Sequence, residues 1–125
     1  MKEIITSANA PAAIGPYSQA VKTGNLVFLS GMLPIDPLTG EFAPGQAGEQ
    51  TEQILKNIKA LLADAGLTLD NVVKTTVFLQ DMQDFAAMNT VYSNYFSQPY
   101  PARSAVAVKS LPKNALVEIE VIANI

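Results

Sequence analysis

The sequence predicts an α+β domain: one six-stranded mixed β-sheet with two amphipathic α-helices packed on one face. Three observations predict it. Two segments of helical length carry apolar residues at 3.6-residue spacing. Short β-prone runs flank and separate them, in the order β-β-β-α-β-α-β-β. The 125 residues fit one domain, residues 1–125, and no internal repeat or low-complexity tract divides them.

Lys2 to Thr6 (KEIIT) is the first β-prone run. NAPAAIGPYSQAV follows, where Gly15-Pro16 marks a turn and Tyr17 begins a short extended segment. Gly24-Asn25 has hairpin chemistry. LVFLSGMLP, Leu26 to Pro34, reads as a strand with apolar residues on both parities: Leu26, Phe28 and Met32 on one side, Val27, Leu29 and Leu33 on the other. IDPLTGEFAPG is a turn-rich loop. Gln46 to Ala65 is the first helix, with Ile54, Ile58, Leu61, Leu62 and Ala65 on its apolar face and Gly66 as its stop. Val72 to Leu79 is a β-branched strand. Asp84 is placed to cap a second helix whose buried stripe is Phe85, Met88, Tyr92 and Tyr95/Phe96. Pro99 and Pro101 end that helix. Ser104 to Val108 and Leu116 to Ala123 are the last two strands.

Such a sheet has a face that two helices cannot cover. The strands Leu26–Pro34 and Val72–Leu79 nevertheless read as buried on both sides. Only 15% of the residues are charged, well below the roughly 25% usual for soluble domains. Together these predict self-association, sheet against sheet. In the last strand Val117, Ile119 and Val121 share the helix side. Leu116, Glu118, Glu120 and Ile122 share the other. A glutamate on a covered face must be paired, hydrogen-bonded or at work.

Composition narrows the chemistry. With no histidine and no cysteine, Ser-His-Asp and Cys-His nucleophiles and the usual zinc sites are excluded. A net charge of −3 without a basic cluster argues against a dedicated nucleic-acid binder. No Walker or dinucleotide-binding glycine loop is present. No signal-peptide core and no membrane-spanning run are seen, so a cytoplasmic protein is expected.

Chemistry must therefore come from carboxylates, tyrosines, lysines, hydroxyls, the backbone and one arginine. Arg103, in PYPARSAVAV, is the sole arginine among seven lysines. Its usual role would be a surface ion pair. Its isolation, the rigid Pro-rich approach and the bidentate fork that only arginine offers point instead to a carboxylate or phosphate clamp. Glu118 and Glu120 are candidate bases, against the plainer reading of edge-strand charge. Ser30 and Gly31 sit inside a strand, where glycine marks close approach of a backbone or ligand. Tyr17 and Asn89 read by themselves as a packed ring and an exposed polar side chain.

NAPAAIGPYSQAV, LVFLSGMLPIDPLTGE, VVKTTVFLQDMQDFAAMNTVYSNYF and PARSAVAVKSLPKNALVEIEVIA together resemble the Rid (reactive intermediate deaminase), or YjgF, family over essentially the whole chain. The co-occurrence of IGPY, SGxxP, DFxxMN, PARS and LPKxxxVEIE carries the resemblance. It implies a chorismate-mutase-like fold, a homotrimer with the sheets facing inward, and sites at subunit interfaces. It further implies hydrolysis of 2-imino acids, in particular 2-iminobutanoate and 2-iminopropanoate, to 2-oxo acids and ammonia, with no metal, no cofactor and no nucleic-acid or membrane partner. By position, Arg103 matches the carboxylate clamp and Glu118 the residue that places water. Tyr17 matches the pocket tyrosine. Ser30, Gly31 and the backbone of Ala105 match ligand-facing groups, and Asn89 matches an asparagine near the cleft. Ala105 stands where relatives often have cysteine, which excludes a thiol-based activity at that position. Two other functions compete: a non-catalytic regulator that binds small 2-oxo or amino carboxylates through Arg103, and an endoribonuclease or translation inhibitor. One arginine, no histidine and negative charge disfavour the last.

Overall fold

The computed structural model describes all residues, Met1–Ile125. Its strands and helices are β1 (Glu3–Ile5), β2 (Ala20–Thr23), β3 (Leu26–Leu29), α1 (Ala47–Asp64), β4 (Val72–Leu79), α2 (Phe85–Tyr95), β5 (Ala102–Ala107) and β6 (Val117–Asn124). The six strands form one sheet in the order β1-β2-β3-β6-β4-β5. Every pairing is antiparallel except β4–β5, which is parallel and has α2 as its crossover. The α+β plan is the one expected.

Ile54, Ile58, Leu61 and Leu62 of α1 are essentially fully buried, as their spacing requires, and so is Leu55 beside them. The helix stops where Gly66 adopts a left-handed φ of 75°. Gly66 N–H donates to Ala63 O and Leu67 N–H to Leu62 O, both at 2.9 Å, which is the paired bond pattern of a glycine-terminated helix. Met88, Tyr92 and Phe96 line the inner side of α2. One expected cap differs. Asp84 makes no capping hydrogen bond; Asp81 does, accepting from Gln83 N–H at 2.8 Å, because a 3-10 turn over Met82–Asp84 precedes α2. The helices and the inner sheet face enclose one core that includes Val27, Val77, Leu79, Val117, Ile119 and Val121.

Two irregularities correct the reading of two-sided strands. β3 pairs with β6 through Phe28↔Ile122, but beyond it Met32 bridges Ile119. Four steps on one chain thus face three on the other, so one extra residue is inserted around Ser30-Gly31. Met32 consequently turns into the core, not onto the side of Phe28. A second shift between Val72 and Lys74 likewise puts Val72 and Val77 on the same buried side despite their opposite parities. Part of the pattern that suggests burial on both faces is therefore the mark of bulges.

The rest of the pattern stands. Register partners across the sheet share a face, which places Ile4, Val21, Phe28, Ile122, Phe78 and Val106 on the side away from the helices. No element of the chain packs over them; Phe28 is 40% exposed, Val106 45% and Ile4 51%. Burying those side chains would stabilise an association by about 25 cal/mol per Å2 covered.

Candidate functional site

The expected site residues fall into two groups on opposite sides of the sheet. Arg103 pairs with Thr75, whose buried side chain lies beneath α2. Glu118 pairs with Phe78, three residues along the same strand and so on the other face. Within one chain the two charged groups do not meet.

The arginine group is assembled by the β4–α2–β5 crossover. Arg103 Nη1 donates to Asn89 Oδ1 at 2.7 Å. The guanidinium carbon lies 4.7 Å from the ring centre of Tyr92 and 5.5 Å from that of Phe85. Phe85, Asn89 and Tyr92 are spaced four and three residues apart, so one helix face presents all three. Tyr92 is itself held by a buried 2.8 Å hydrogen bond between its hydroxyl and Thr75 Oγ1. Burial raises the tyrosine's proton affinity, with the Thr75 bond and Arg103 opposing, so a neutral ring lies against the cation. No carboxylate neutralises Arg103; the chain's one salt bridge joins Lys22 and Glu3 at 3.9 Å. An oriented, exposed and uncompensated guanidinium at a sheet edge can receive an external carboxylate. Ala105, two residues on, shares its side of the strand.

The glutamate group lines a cavity of about 500 Å3. Tyr17, Ser30, Gly31 and Glu118 all contribute to it, with Ile14, Met32, Leu33 and Ile35 as apolar wall. The bulge explains the geometry at Gly31. A side chain there would occupy the position of the Glu118 carboxylate, Oε2 foremost, so glycine is what lets the glutamate lie against the strand. Ser30 is fixed rather than free, since its Oγ donates to Ser18 O at 2.6 Å and its N–H to Gln19 O at 3.0 Å. The exposed Tyr17 hydroxyl accepts a long 3.4 Å contact from Ile14 N–H. Partial burial, then the like charge of Glu120, hold the Glu118 carboxyl above its ordinary range. A carboxyl shifted this way carries or returns a proton closer to neutral pH than a free glutamate does.

Two polar side chains of the cavity, Lys113 and Gln19, escape the sequence reading. Lys113 lies in the turn before β6, where it and Asn114 take left-handed φ values of 55° and 59°. Pro112 followed by Asn114 was a visible turn signal, but nothing marks Lys113 itself. Gln19 was visible only as part of IGPYSQAV; in the fold it is 7% exposed and lines the same cavity. No group of three or more acidic residues is placed to hold a metal ion. No helix is long and apolar enough to cross a membrane.

Residues 7–125 match the protein family described as Endoribonuclease L-PSP. The chain belongs to the Rid/YjgF family. It is 57% identical to RutC family protein PH0854 of Pyrococcus horikoshii, over 98% of each chain. It is 50% identical to the 2-iminobutanoate/2-iminopropanoate deaminase of Capra hircus, over 98% of this chain and 90% of that one. Among solved structures it superposes on E. coli TdcF with bound serine at a TM-score of 0.93, with 44% identity and 98% of each chain covered. In this Rid-family chain the arginine and glutamate groups lie on the two sides of one sheet.

Proposed function

We propose that this protein hydrolyses 2-imino acids, of the size of 2-iminobutanoate and 2-iminopropanoate, to 2-oxo acids and ammonia. The observation that carries the reading is Glu118: a carboxylate with raised proton affinity, laid against a glycine in a largely apolar cavity. The names of the deaminase relatives supply the reaction class, and the serine held by TdcF shows a carboxylate ligand of suitable size in a related protein.

In this reading the site is completed between copies. One copy contributes Arg103 with Asn89 and the Ala105 backbone, and its neighbour contributes Glu118 with Tyr17, Ser30 and Gly31. Association in a homotrimer through the open sheet face brings the two together. Arg103 holds the substrate carboxylate and fixes the C=N carbon relative to a water on Glu118. The glutamate takes a proton as water oxygen bonds to that carbon, giving a carbinolamine. It returns the proton to nitrogen. The C–N bond then breaks and ammonia leaves, while the freed Glu118 carboxylate takes the hydroxyl proton as the C=O bond forms and passes it to ammonia, so that the products are the 2-oxo acid and ammonium. An iminium carbon is already electrophilic, so orientation and one proton relay are what the protein must add. A nucleic-acid substrate is disfavoured by the single arginine and the net charge of −3.

The test combines turnover with mixing. Wild-type protein should remove 2-iminobutanoate, generated in situ, faster than it hydrolyses spontaneously. Arg103→Ala and Glu118→Gln should each be inactive alone. Refolded together in equal amounts, they should regain about a quarter of wild-type activity, since random assembly leaves that share of interfaces with both native groups. No wild-type turnover overturns the deaminase reading, and turnover without regain on mixing overturns the shared site.

A further inference from the structure

Residues 6–19 connect β1 to β2 without a helix or strand of their own. Segments of this length inside a compact domain are usually functional, and this one supplies Pro11, Ala12, Ile14 and Tyr17 to the cavity wall. Its internal bonds are sparse: Tyr17 N–H to Gly15 O at 2.9 Å, Asn9 N–H to Ser7 Oγ at 3.0 Å, and the long Ile14–Tyr17 contact. Such a segment needs an external anchor to hold one shape.

The buried amide of Gln19 is that anchor. Its Oε1 accepts from Ser7 N–H at 2.7 Å. Its Nε2 donates to Pro11 O at 2.7 Å and to Ser7 O at 3.1 Å, with Ala10 O at 3.5 Å. Both amide hydrogens and the amide oxygen are thereby used. The backbone of the same residue accepts from Ser30 N–H, in the bulge that carries Gly31. Gln19 thus joins the start and middle of the loop to the strand beneath Glu118.

We propose that Gln19 is a positioning residue for the reaction. Its amide is taken up by the loop backbone and so acts on the reaction through other residues. Its amide sets the distance between the wall formed by Ile14 and Tyr17 and the carboxylate of Glu118. This rests on reading the cavity as half of the reactive site.

Gln19→Glu is the informative variant. A carboxylate at this position still accepts from Ser7 N–H but cannot donate, and it faces the carbonyls of Ser7 and Pro11 with oxygen against oxygen. Two buried acceptors lose their partner, which should lower kcat/KM by roughly ten- to a hundredfold at neutral pH. Protonating the new carboxyl restores a donor to Pro11 O, so the ratio of variant to wild-type kcat/KM should rise as pH falls. The groups bonded to Gln19 (Ser7, Ala10, Pro11, Ser30) do not titrate. Tyr17, Lys113 and Glu118 face the same cavity and are present in both proteins. Acid recovery measured where circular dichroism shows the variant fully folded at every pH reports the restored bond at the site and not a regained fold.

A ratio near one at neutral pH, or a folded variant whose deficit is the same at every pH, overturns the proposal. Should the variant not fold, hydrogen exchange of the wild-type Ser7 amide decides. Slow exchange relative to Ala8 supports the anchor, and equal exchange overturns it. The exchange measurement needs no turnover, so it remains decisive even if the wild-type protein proves inactive on imines.

Discussion

The two halves of the proposed site are built by opposite means. The arginine half rests on regular structure: a helix face at three- and four-residue spacing set against an edge strand whose neighbour supplies Thr75. The glutamate half rests on departures from regularity. It uses a bulge, a glycine that makes room for a carboxylate, a turn with two left-handed residues, and a loop held by one amide. The first half orients a permanent charge by stacking and a hydrogen bond. The second tunes a proton by partial burial. In the proposed reaction, binding and proton transfer are thus assigned to different kinds of scaffold, and the assignment predicts that each can be broken without the other.

Arg103→Ala should break the comparison most severely. Losing a charge-assisted clamp costs about a hundred- to a thousandfold in affinity, and losing orientation costs roughly a further hundredfold in turnover. Steady-state kinetics with 2-iminopropanoate, together with calorimetric titration of 2-oxobutanoate, should show both losses with the melting temperature nearly unchanged, since Arg103 is exposed and in no salt bridge. A variant that binds 2-oxobutanoate normally would move the clamp elsewhere.

The same contrast explains what was legible in the sequence. The apolar stripe of α2 and the isolation of Arg103 are periodic or compositional facts; Met88 and Tyr92 lie where the stripe puts them, while Arg103, expected just ahead of its strand, lies inside β5. The alternation Val117, Ile119, Val121 against Glu118 and Glu120 is equally direct, because β6 is unbroken. Parity counting puts Met32 on the wrong side because it assumes an unbroken ladder, and the extra residue near Gly31 inverts it. Gln19 stayed hidden for a related reason. A buried amide that bonds residues eight and twelve positions away has no local signature. That Arg103 and Glu118 face opposite ways follows only from the register, which pairs Arg103 with Thr75 and Glu118 with Phe78 on the strand between theirs.

Gly31→Ala should sharpen the comparison by disturbing only the glutamate half. The added methyl takes the place of the Glu118 carboxylate, which is the far end of a flexible side chain and not backbone. The carboxylate swings away and the fold survives. Displacing a catalytic group by about an ångström costs on the order of a hundredfold, so kcat should fall by roughly that much. Affinity for 2-oxobutanoate, held by Arg103, should change little. Equal losses in kcat and affinity would mean that the two halves are not separable.

The smallest effect is on stability, and its sign distinguishes the halves. Partial burial and the neighbouring Glu120 hold the Glu118 carboxyl above its ordinary range, so the folded chain binds this proton more tightly than the unfolded chain does. Below the ordinary carboxylate pKa both states are protonated and nothing is lost. As pH rises from there through the raised value, the unfolded chain releases its proton first, and wild-type stability falls; the loss then persists at neutral pH. Glu118→Gln removes the titration. It should melt above wild type at neutral pH, with the gap closing as pH is lowered below the carboxylate range at about pH 4. Half-exposure and solvent screening keep the gap small. Arg103→Ala should show no such pH-dependent gap. If Glu118→Gln melts at or below wild type at every pH, the carboxylate is not held against its preference, and the distinction between an oriented charge and a tuned proton fails.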